Sequence, residues 1–230
     1  MNYVREHGII SLSQQNYISS MAERFQLPHY ERATTPIKTD YYSQLELQLN
    51  EPVLDDVPYK ELVGSLIFCM VCTRPDVAFT VSCLTSYFSS PRRIHWETAI
   101  RCLGYLFATK DLGLILGAGG SDKLVCFSDS DWASNPVTRR SIGGHVLFFG
   151  DSILSWTSKT QKGIIALSTT ESEFIQMALA IRCVLYIQPT FLDIGFQNIH
   201  QVSVVFGDNK PAICSIGNES AKSRTKHLDV

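Results

Sequence analysis

The chain has 230 residues, of which 45% are hydrophobic and 18% are charged, a composition typical of a globular protein with one large domain or two small ones. The formal net charge of −2 excludes a strong positive field over the whole surface, so any nucleic-acid contact must depend on local groups of basic residues. The chain does not open on a charged-then-apolar signal sequence, and no apolar run reaches the roughly 18–20 residues that span a bilayer, so we expect no membrane partner.

The first half of the chain has a mainly helical pattern. Gly8–Leu12 is predicted to be a short strand, and a helix is predicted from about Ser13 to Phe25. Residues 31–57 are rich in polar side chains and contain two prolines, which indicates a linker or an irregular loop. Residues 59–110 are predicted to be helical because apolar side chains recur there at helical spacing. These are Val77, Val81, Leu84 and Phe88 in one helix and Trp96, Ile100, Leu103 and Phe107 in the next.

The seven cysteines do not show the regular, even spacing of a disulfide framework. Cys69 and Cys72 form a CxxC pair, but they lie in an apolar run without a second pair or a nearby histidine. We therefore interpret them as small core residues, and reduced thiols favour an intracellular protein. His95, at the start of a predicted helix, is interpreted as a cap or a surface residue, and Trp96 as a core residue.

From about Lys123 the pattern changes to that of a mixed sheet. Three strands, a long helix that begins near Thr170, a fourth strand and a short helix are predicted in that order. The strands cover Leu124–Ser128, Gly144–Phe149, Ile153–Ser158 and Val202–Phe206, and the short helix covers Pro211–Ile216. Pro189 is expected to end or kink the long helix. This order predicts an α/β fold.

Three carboxylates stand at the edges of these predicted elements. Asp129 closes the first of the three strands, Glu171 opens the long helix, and Asp208 follows the last strand. An α/β fold gathers residues that are distant in sequence at such strand ends and helix starts. Clustered carboxylates repel one another unless cations neutralise them, and their hard oxygen ligands suit Mg²⁺ or Mn²⁺. On spacing alone, three unrelated surface acids are the alternative interpretation.

A neighbouring acid competes with Asp129 for the first position. Asp131 is two residues further along the strand and points to the same side. Because a turn begins just after Asp131, Asp129 is held more firmly by the strand and is the predicted ligand, while Asp131 is assigned to the turn. Asp208 has no close rival, although a helix N-cap is an alternative role for it.

Glu171 and Glu173 compete for the second position. They are about 200° apart on a helix, so only one of them can face the sheet. We place the apolar face of the helix along Phe174, Ile175, Ala178, Ile181 and Leu185. Glu171 lies along that face and Glu173 points away from its centre, so Glu171 is the predicted second ligand. Thr169 or Thr170 is predicted to cap the helix.

Short sequence words around these acids carry a family resemblance. In chain order they are Ser128-Asp129-Ser130-Asp131-Trp132-Ala133, Arg139-Arg140-Ser141, Ser155-Trp156-Thr157-Ser158-Lys159-Thr160-Gln161, Ala166-Leu167-Ser168-Thr169-Thr170-Glu171-Ser172-Glu173, Asp208-Asn209-Lys210-Pro211-Ala212-Ile213 and Arg224-Thr225-Lys226-His227. Together they closely resemble the ribonuclease H domain of copia-type retrotransposon Pol polyproteins. Upstream words resemble the end of the reverse transcriptase of that polyprotein. They are Gly8-Ile9-Ile10-Ser11-Leu12-Ser13-Gln14, Leu62-Val63-Gly64-Ser65-Leu66, Thr73-Arg74-Pro75-Asp76 and His95-Trp96.

The resemblance covers nearly the whole chain and implies two domains. Residues 1–115 would be the C-terminal part of the reverse transcriptase, or its connection region, with the linker near 31–57 and without a polymerase active site. Residues 120–230 would be a ribonuclease H-like domain, which is a mixed sheet with flanking helices, without its C-terminal strand and helix. The fourth carboxylate of the family pattern would then be absent, because Asp229 matches a word that begins an earlier helix.

The function that the resemblance implies is metal-dependent hydrolysis of the RNA strand of RNA–DNA hybrids during reverse transcription. Asp129, Glu171 and Asp208 would be the catalytic residues and would bind two Mg²⁺ or Mn²⁺ ions. The implied partners are the hybrid, read through groove shape, phosphates and 2′-hydroxyls, and the rest of the Pol polyprotein, without a small-molecule cofactor. The implied location is intracellular, in the cytoplasm or in virus-like particles, with the nucleus as an alternative.

Other functions stay open on the sequence. Because the last strand and helix of the pattern are missing, we expect little or no nuclease activity from the chain as given, and restoration of both elements is expected to rescue it. The alternative is a catalytically inactive transposon relic or a module that binds nucleic acid or protein. An integrase-like transferase shares the carboxylate chemistry, but the Ser-Thr-Thr-Glu and Asp-Asn words disfavour it.

Overall fold

The computed structural model describes residues 1–27, 33–48, 50–117, 123–136, 138–161, 165–196 and 203–217. The chain divides into two compact units, residues 1–117 and 118–230. Helices and two separate sheets make it a mixed α/β protein.

The first unit contains a three-stranded antiparallel sheet. Strands β1 (Asn2–Glu6) and β2 (Ile9–Ser13) form a hairpin, and β3 (Gly113–Leu116) pairs with the other edge of β2. The pairing of Leu12 with Leu114 brings the two ends of this unit together. The predicted strand at Gly8–Leu12 is confirmed within one residue, whereas β1 and β3 were not predicted.

Helices form most of the first unit and enclose its core. They are α1 (Gln15–Arg24), α2 (Tyr41–Leu47), α3 (Tyr59–Cys72), a 3₁₀ turn (Pro75–Val77), α4 (Ala78–Thr85) and α5 (Arg93–Ala108). Fully buried apolar side chains from α1, α3, α4 and α5 pack together, with Leu66, Leu84 and Leu103 among the largest. The helical prediction for residues 59–110 is confirmed. Of the CxxC pair, Cys69 is fully buried in this core and Cys72 is half-buried, and both are free thiols.

The linker predicted for residues 31–57 is partly wrong. Helix α2 lies inside it and buries Tyr41 and Leu45, which are 3% and 0% exposed. The polar residues of this short helix face outwards, so only two positions are buried. Two buried positions are too few to give a recognisable helical periodicity in a polar segment.

Arg74, in the Thr73-Arg74-Pro75-Asp76 word, is a structural residue of the first unit. Its guanidinium is 1% exposed and binds both carboxylate oxygens of Asp76, at 3.0 and 2.7 Å. It also donates to the carbonyl and the hydroxyl of Thr109 at the end of α5, at 3.0 and 2.7 Å. The Tyr105 hydroxyl donates to Asp76 at 2.8 Å. A buried charge with this many partners ties α5 to the 3₁₀ turn.

The second unit is built around a four-stranded sheet. Strands β4 (Leu124–Asp131), β5 (Ile142–Phe149) and β6 (Ser152–Thr160) form an antiparallel meander. Helix α6 (Thr169–Asp193) then crosses the sheet to β7 (Val204–Phe206), which pairs in parallel with β4, and α7 (Lys210–Gly217) follows. The order across the sheet is β6-β5-β4-β7. The predicted order of strands and helices is confirmed for the described residues; residues 197–202 lie outside them.

Helix α6 packs on β4 and β5 and provides the helical side of the second core. Ala180, Val184 and Phe191 contact Leu124 and Leu147 of the sheet. The helix has 25 residues and continues past Pro189 to Asp193. Pro189 therefore does not end the helix, and the alternative expectation of a kink stays a prediction. The rings of Phe149, Phe191 and Phe196 pack against one another and hold the last turn in place.

By length and composition alone, α6 is able to cross a membrane, and it is the one such helix among the described residues. The expectation that no apolar segment is long enough therefore needs correction. The observation is weak evidence for a membrane span, because core helices of soluble proteins meet the same criteria. The face that α6 turns to the sheet also carries buried polar side chains, among them Glu173, Gln176 and Gln188.

His95 is fully buried in the first unit, so its assignment as a surface residue is wrong and its assignment as a cap is confirmed. Its Nδ1 accepts a hydrogen bond from the Arg92 N–H at 2.8 Å, and its ring stacks on Tyr87. Burial, with the nearby charge of Arg92, lowers the pKa of His95 to about 4. The imidazole is therefore neutral in the folded unit at pH values where the unfolded chain binds a proton.

We predict that the stability of the first unit falls between pH 6.5 and pH 4. The folded pKa of His95 lies below its ordinary value of 6.5, so stability is fully present above pH 6.5 and is lost as the pH falls. The loss amounts to up to about 3 kcal/mol at the acid end. Urea unfolding followed by Trp96 fluorescence, in a Trp132→Phe, Trp156→Phe background, measures it.

The control for this prediction is a histidine on the surface of the same unit. In His95→Gln the slope of stability against pH should flatten, and in His7→Gln, which changes an exposed turn residue, it should persist. An unchanged slope in His95→Gln would contradict the assignment.

Candidate metal centre

Asp129 and Asp208 are brought together by the parallel pairing of β4 and β7. Phe127 lies opposite Phe206 in this register. Two further residues along each strand lead to Asp129 and Asp208. The pairing of the two strands therefore places one carboxylate beside the other at the same end of the sheet, as the sequence predicts.

The residues on either side of Asp208 leave its carboxylate available at this end of the sheet. Asn209 caps α7, because its side-chain oxygen accepts a hydrogen bond from the Ala212 N–H at 3.0 Å. The alternative role of Asp208 as the helix cap is thus taken by its neighbour. Gly207 allows the strand end to lie close to α6, since a Cβ atom there would meet Cε of Met177 at 2.5 Å.

Glu173, in the first turns of α6, completes the cluster. One carboxylate oxygen from each of Asp129, Glu173 and Asp208 lies within 4.8 Å of the other two. Asp129 and Asp208 are exposed, whereas Glu173 is only 4% exposed. Asp131, the rival of Asp129, is an exposed residue at the end of β4 and is not part of this cluster.

Glu171 does not belong to the cluster, and the preference for it over Glu173 is corrected by the geometry. Its carboxylate accepts a hydrogen bond from the Leu167 N–H at 2.7 Å, just before the helix. Its own N–H donates to the hydroxyl of Ser168 at 3.2 Å, and Ser168 is the N-cap in place of the predicted Thr169 or Thr170. Glu171 thus closes the first turn of α6.

The wrong choice arose from the position assigned to the buried face of α6. The predicted face includes Leu185, which is 58% exposed. The face that contacts the sheet instead passes from Glu173 through positions three or four residues apart, and the residues that follow Glu173 on it are Met177, Ala180, Val184, Gln188 and Phe191. Polar residues on this face weakened its signal. A search for the buried face of the helix that allows glutamine at buried positions would have placed Glu173 on the side that contacts the sheet.

The electrostatics of the cluster centre on Glu173. The pKa of its carboxyl is raised to about 7, mainly by burial and then by the charge of Asp129. The hydrogen bond from the Ser130 N–H lowers this pKa, and the charge of Asp208 raises it by a lesser amount. Oxygen Oε1 accepts this N–H at 3.2 Å, while Oε2 is buried without a hydrogen-bond partner. A buried carboxylate oxygen without a partner is costly, and a cation would satisfy it.

Three carboxylates at this spacing fit a divalent cation. Oxygen atoms within 4.8 Å of one another are close to the spacing of ligands around one ion, whose metal–oxygen distances are about 2.0–2.6 Å. The donor set contains only hard oxygen atoms, which suits Mg²⁺ or Mn²⁺. Asp229, the weighed candidate for a fourth ligand, lies outside the described residues.

Basic side chains on the second unit are local, as the net charge requires. Arg139 and Arg140 are exposed in the loop between β4 and β5, and Lys159 is exposed on β6. The loop is held by Trp132, whose indole N–H donates to the carbonyl of Ala166 at 2.9 Å. Four further basic residues of the second unit lie outside the described part of the chain. They are Lys162, Lys222, Arg224 and Lys226.

Comparison with known proteins relates the chain to transposon polyproteins. No protein-family model matches it, and no solved structure matches it. It is 34% identical over 240 residues to the retrovirus-related Pol polyprotein from transposon TNT 1-94 of Nicotiana tabacum, covering 100% of the chain and 18% of that protein. It is 32% identical over 219 residues to the Pol polyprotein from transposon RE2 of Arabidopsis thaliana, covering 95% of the chain and 15% of that protein.

A third relative is much shorter. The chain is 39% identical over 127 residues to secreted RxLR effector protein 161 of Plasmopara viticola, covering 55% of the chain and 89% of that protein. The chain therefore spans most of this relative but less than a fifth of the two Pol polyproteins.

We predict that Asp129→Asn lowers the pKa of Glu173 from its raised value near 7 towards the ordinary carboxyl range. The substitution removes a negative charge that disfavours ionisation of Glu173, and the expected change is roughly one pKa unit. Carboxyl ¹³C NMR titration without added metal measures it. Glu171→Gln is the control and should leave the titration in place. A Glu173 titration that does not move in Asp129→Asn would contradict the coupling.

Proposed function

We propose that this chain, which belongs to the copia-type retrotransposon Pol polyproteins, contains in its second unit a ribonuclease H-type nuclease domain that hydrolyses the RNA strand of RNA–DNA hybrids. The observation that supports it most is the cluster of Asp129, Glu173 and Asp208 at one end of the mixed sheet. The proposed architecture is a ribonuclease H-like sheet with its helices, and the order β6-β5-β4-β7 with α6 across it is compatible with that proposal.

The three acids would hold Mg²⁺ or Mn²⁺. Glu173 would bind through Oε2, the oxygen that is buried without a partner, while Asp129 and Asp208 would bind from the exposed side of the cluster. When bound, divalent cations at such a site supply positive charge to the attacking and the leaving oxygen of a phosphodiester. The protein contributes the fixed spacing of the carboxylates, and their exposed side leaves room for the nucleic-acid strand.

The partners follow from the same proposal. The substrate would be an RNA–DNA hybrid, contacted through its backbone by local basic residues such as Arg139, Arg140 and Lys159. In the two Pol polyproteins the matched region is part of a much larger protein, and we propose that the rest of the polyprotein is the context in which the domain works. The first unit would correspond to the C-terminal part of the reverse transcriptase. The proposed location is intracellular, in the cytoplasm or in virus-like particles.

The test compares two glutamates two residues apart. Isothermal titration with Mn²⁺ should give saturable binding for the unchanged chain, and Glu173→Gln should weaken it by about 100-fold, which corresponds to roughly 3 kcal/mol. Glu171→Gln makes the same chemical change outside the cluster. It should leave the Mn²⁺ affinity within about threefold. It should lower the stability of the second unit by about 1 kcal/mol, because the hydrogen bond from the Leu167 N–H at the start of α6 is weakened.

Cleavage of a labelled RNA–DNA hybrid in Mg²⁺ or Mn²⁺ tests the reaction. Any activity of the chain should fall to background in Glu173→Gln and persist in Glu171→Gln. The absence of saturable Mn²⁺ binding would overturn the metal centre. Metal and hybrid binding without cleavage, also in a chain extended by the C-terminal strand and helix of a relative, would overturn the nuclease assignment and favour a binding module.

A further inference from the structure

A buried hydrogen-bonded ring lies directly behind the carboxylate cluster. It consists of Gln161 at the end of β6, Ser130 in β4 and Ser172 in α6, and we call it the amide clasp. The three side chains are 8%, 6% and 0% exposed. The clasp therefore joins three separate elements of the second unit in a place that is shielded from water.

The donors and acceptors of the clasp form a closed set. The Ser172 hydroxyl donates to Oε1 of Gln161 at 3.3 Å, so the hydroxyl of Ser130 must be the donor in its contact with Ser172. Nε2 of Gln161 completes the ring by donating to Oγ of Ser130 at 3.4 Å. Its second hydrogen goes to the carbonyl of Ser172 at 3.0 Å, and this fixes the orientation of the amide. Each hydroxyl donates once and accepts once, so the ring is fully satisfied.

Two of the three residues adjoin the carboxylates. Ser172 precedes Glu173 in α6, and the N–H of Ser130 donates both to Oδ1 of Asp129, at 2.8 Å, and to Oε1 of Glu173, at 3.2 Å. Gln161 is itself anchored, because its N–H donates to the carbonyl of Ser141 at 2.8 Å and extends the pairing of β5 with β6. The position of the clasp thus determines the separation of β4 from the start of α6.

The carboxylates need such a restraint because their charges push β4 and the first turn of α6 apart. A neutral amide opposes this separation through hydrogen bonds and adds no fourth negative charge to the site. A glutamate in its place would direct an oxygen at the carbonyl of Ser172. We infer that Gln161 is a positioning residue for the metal centre, holding Glu173 within reach of the ion that Asp129 and Asp208 bind. This inference rests on the proposed function.

The experiment replaces the amide and keeps the shape of the side chain. Gln161→Met in the full chain should weaken Mn²⁺ binding, measured by isothermal titration well below the unfolding temperature, by about 10- to 100-fold, the usual effect of removing a group that orients a ligand. Gln188→Met is the matched control. Gln188 is also buried in the second unit, at 5% exposure, and its amide also binds a serine hydroxyl, that of Ser203 at 2.9 Å. This control should lose thermal stability but keep its Mn²⁺ affinity within about twofold.

A second variant keeps the test decisive if Gln161→Met does not fold. Ser172→Ala removes one hydroxyl of the clasp with a residue that favours helix, and should weaken Mn²⁺ binding by about 3- to 10-fold. Unchanged affinity in the folded clasp variants, or an equal loss in Gln188→Met, overturns the inference and leaves the metal centre in place. Absence of saturable Mn²⁺ binding in the unchanged chain overturns the proposed function and the inference together.

Discussion

Repulsion among three carboxylates is the constraint on which the second unit depends. Two unit charges that lie within 4.8 Å of each other repel by roughly 3 kcal/mol or more at an effective dielectric constant of about 20. When all three acids are ionised, each of the three pairs in the cluster contributes such a repulsion. Glu173 shows the effect most clearly, because burial and the two aspartates raise its pKa to about 7. Its folded pKa is above its unfolded value, so stability is lost as the pH rises from about 4.5 through 7. The loss is on the order of 2 kcal/mol once the solvent around the exposed aspartates is allowed for.

The fold tolerates this cost by dividing the acids between two environments. Asp129 and Asp208 lie at adjacent strand ends and face solvent, which screens them, while Glu173 comes from the helix side and is buried. The cluster is thus open on one side and rigid on the other. The buried side, formed by Glu173, can hold a cation in a fixed position. The exposed side, formed by Asp129 and Asp208, leaves room for a polymeric substrate. The same division explains why a neutral hydrogen-bonded ring, and not a salt bridge, lies behind Glu173.

The sequence predicts the sheet side of the site better than the helix side. Asp129 and Asp208 follow apolar strands, and the carboxyl ends of neighbouring parallel strands lie at the same edge of a sheet. Their proximity therefore follows once β7 pairs in parallel with β4. The choice between Glu171 and Glu173 depends on the rotation of α6 about its axis. That rotation is set by a buried face that includes Gln176 and Gln188, which a count of apolar residues ignores. The predicted face instead included Leu185, which is exposed. In the first unit, α2 and β3 were missed because each buries too few side chains to leave a pattern.

The two units differ in how they treat buried charge, and this difference separates structural from functional residues. In the first unit, Arg74 is buried with a carboxylate, a carbonyl and a hydroxyl around it, and His95 is buried as a neutral ring. The charge of Arg74 is thus satisfied by the folded chain alone, and His95 avoids a buried charge because its ring is neutral. In the second unit, Oε2 of Glu173 is the one carboxylate oxygen among the described residues that is buried without a hydrogen-bond partner. This buried oxygen lies next to two further acids, so a cation at that point would both satisfy it and reduce the repulsion among the three carboxylates. The unpaired oxygen therefore identifies the centre of the site more sharply than the number of acids around it does.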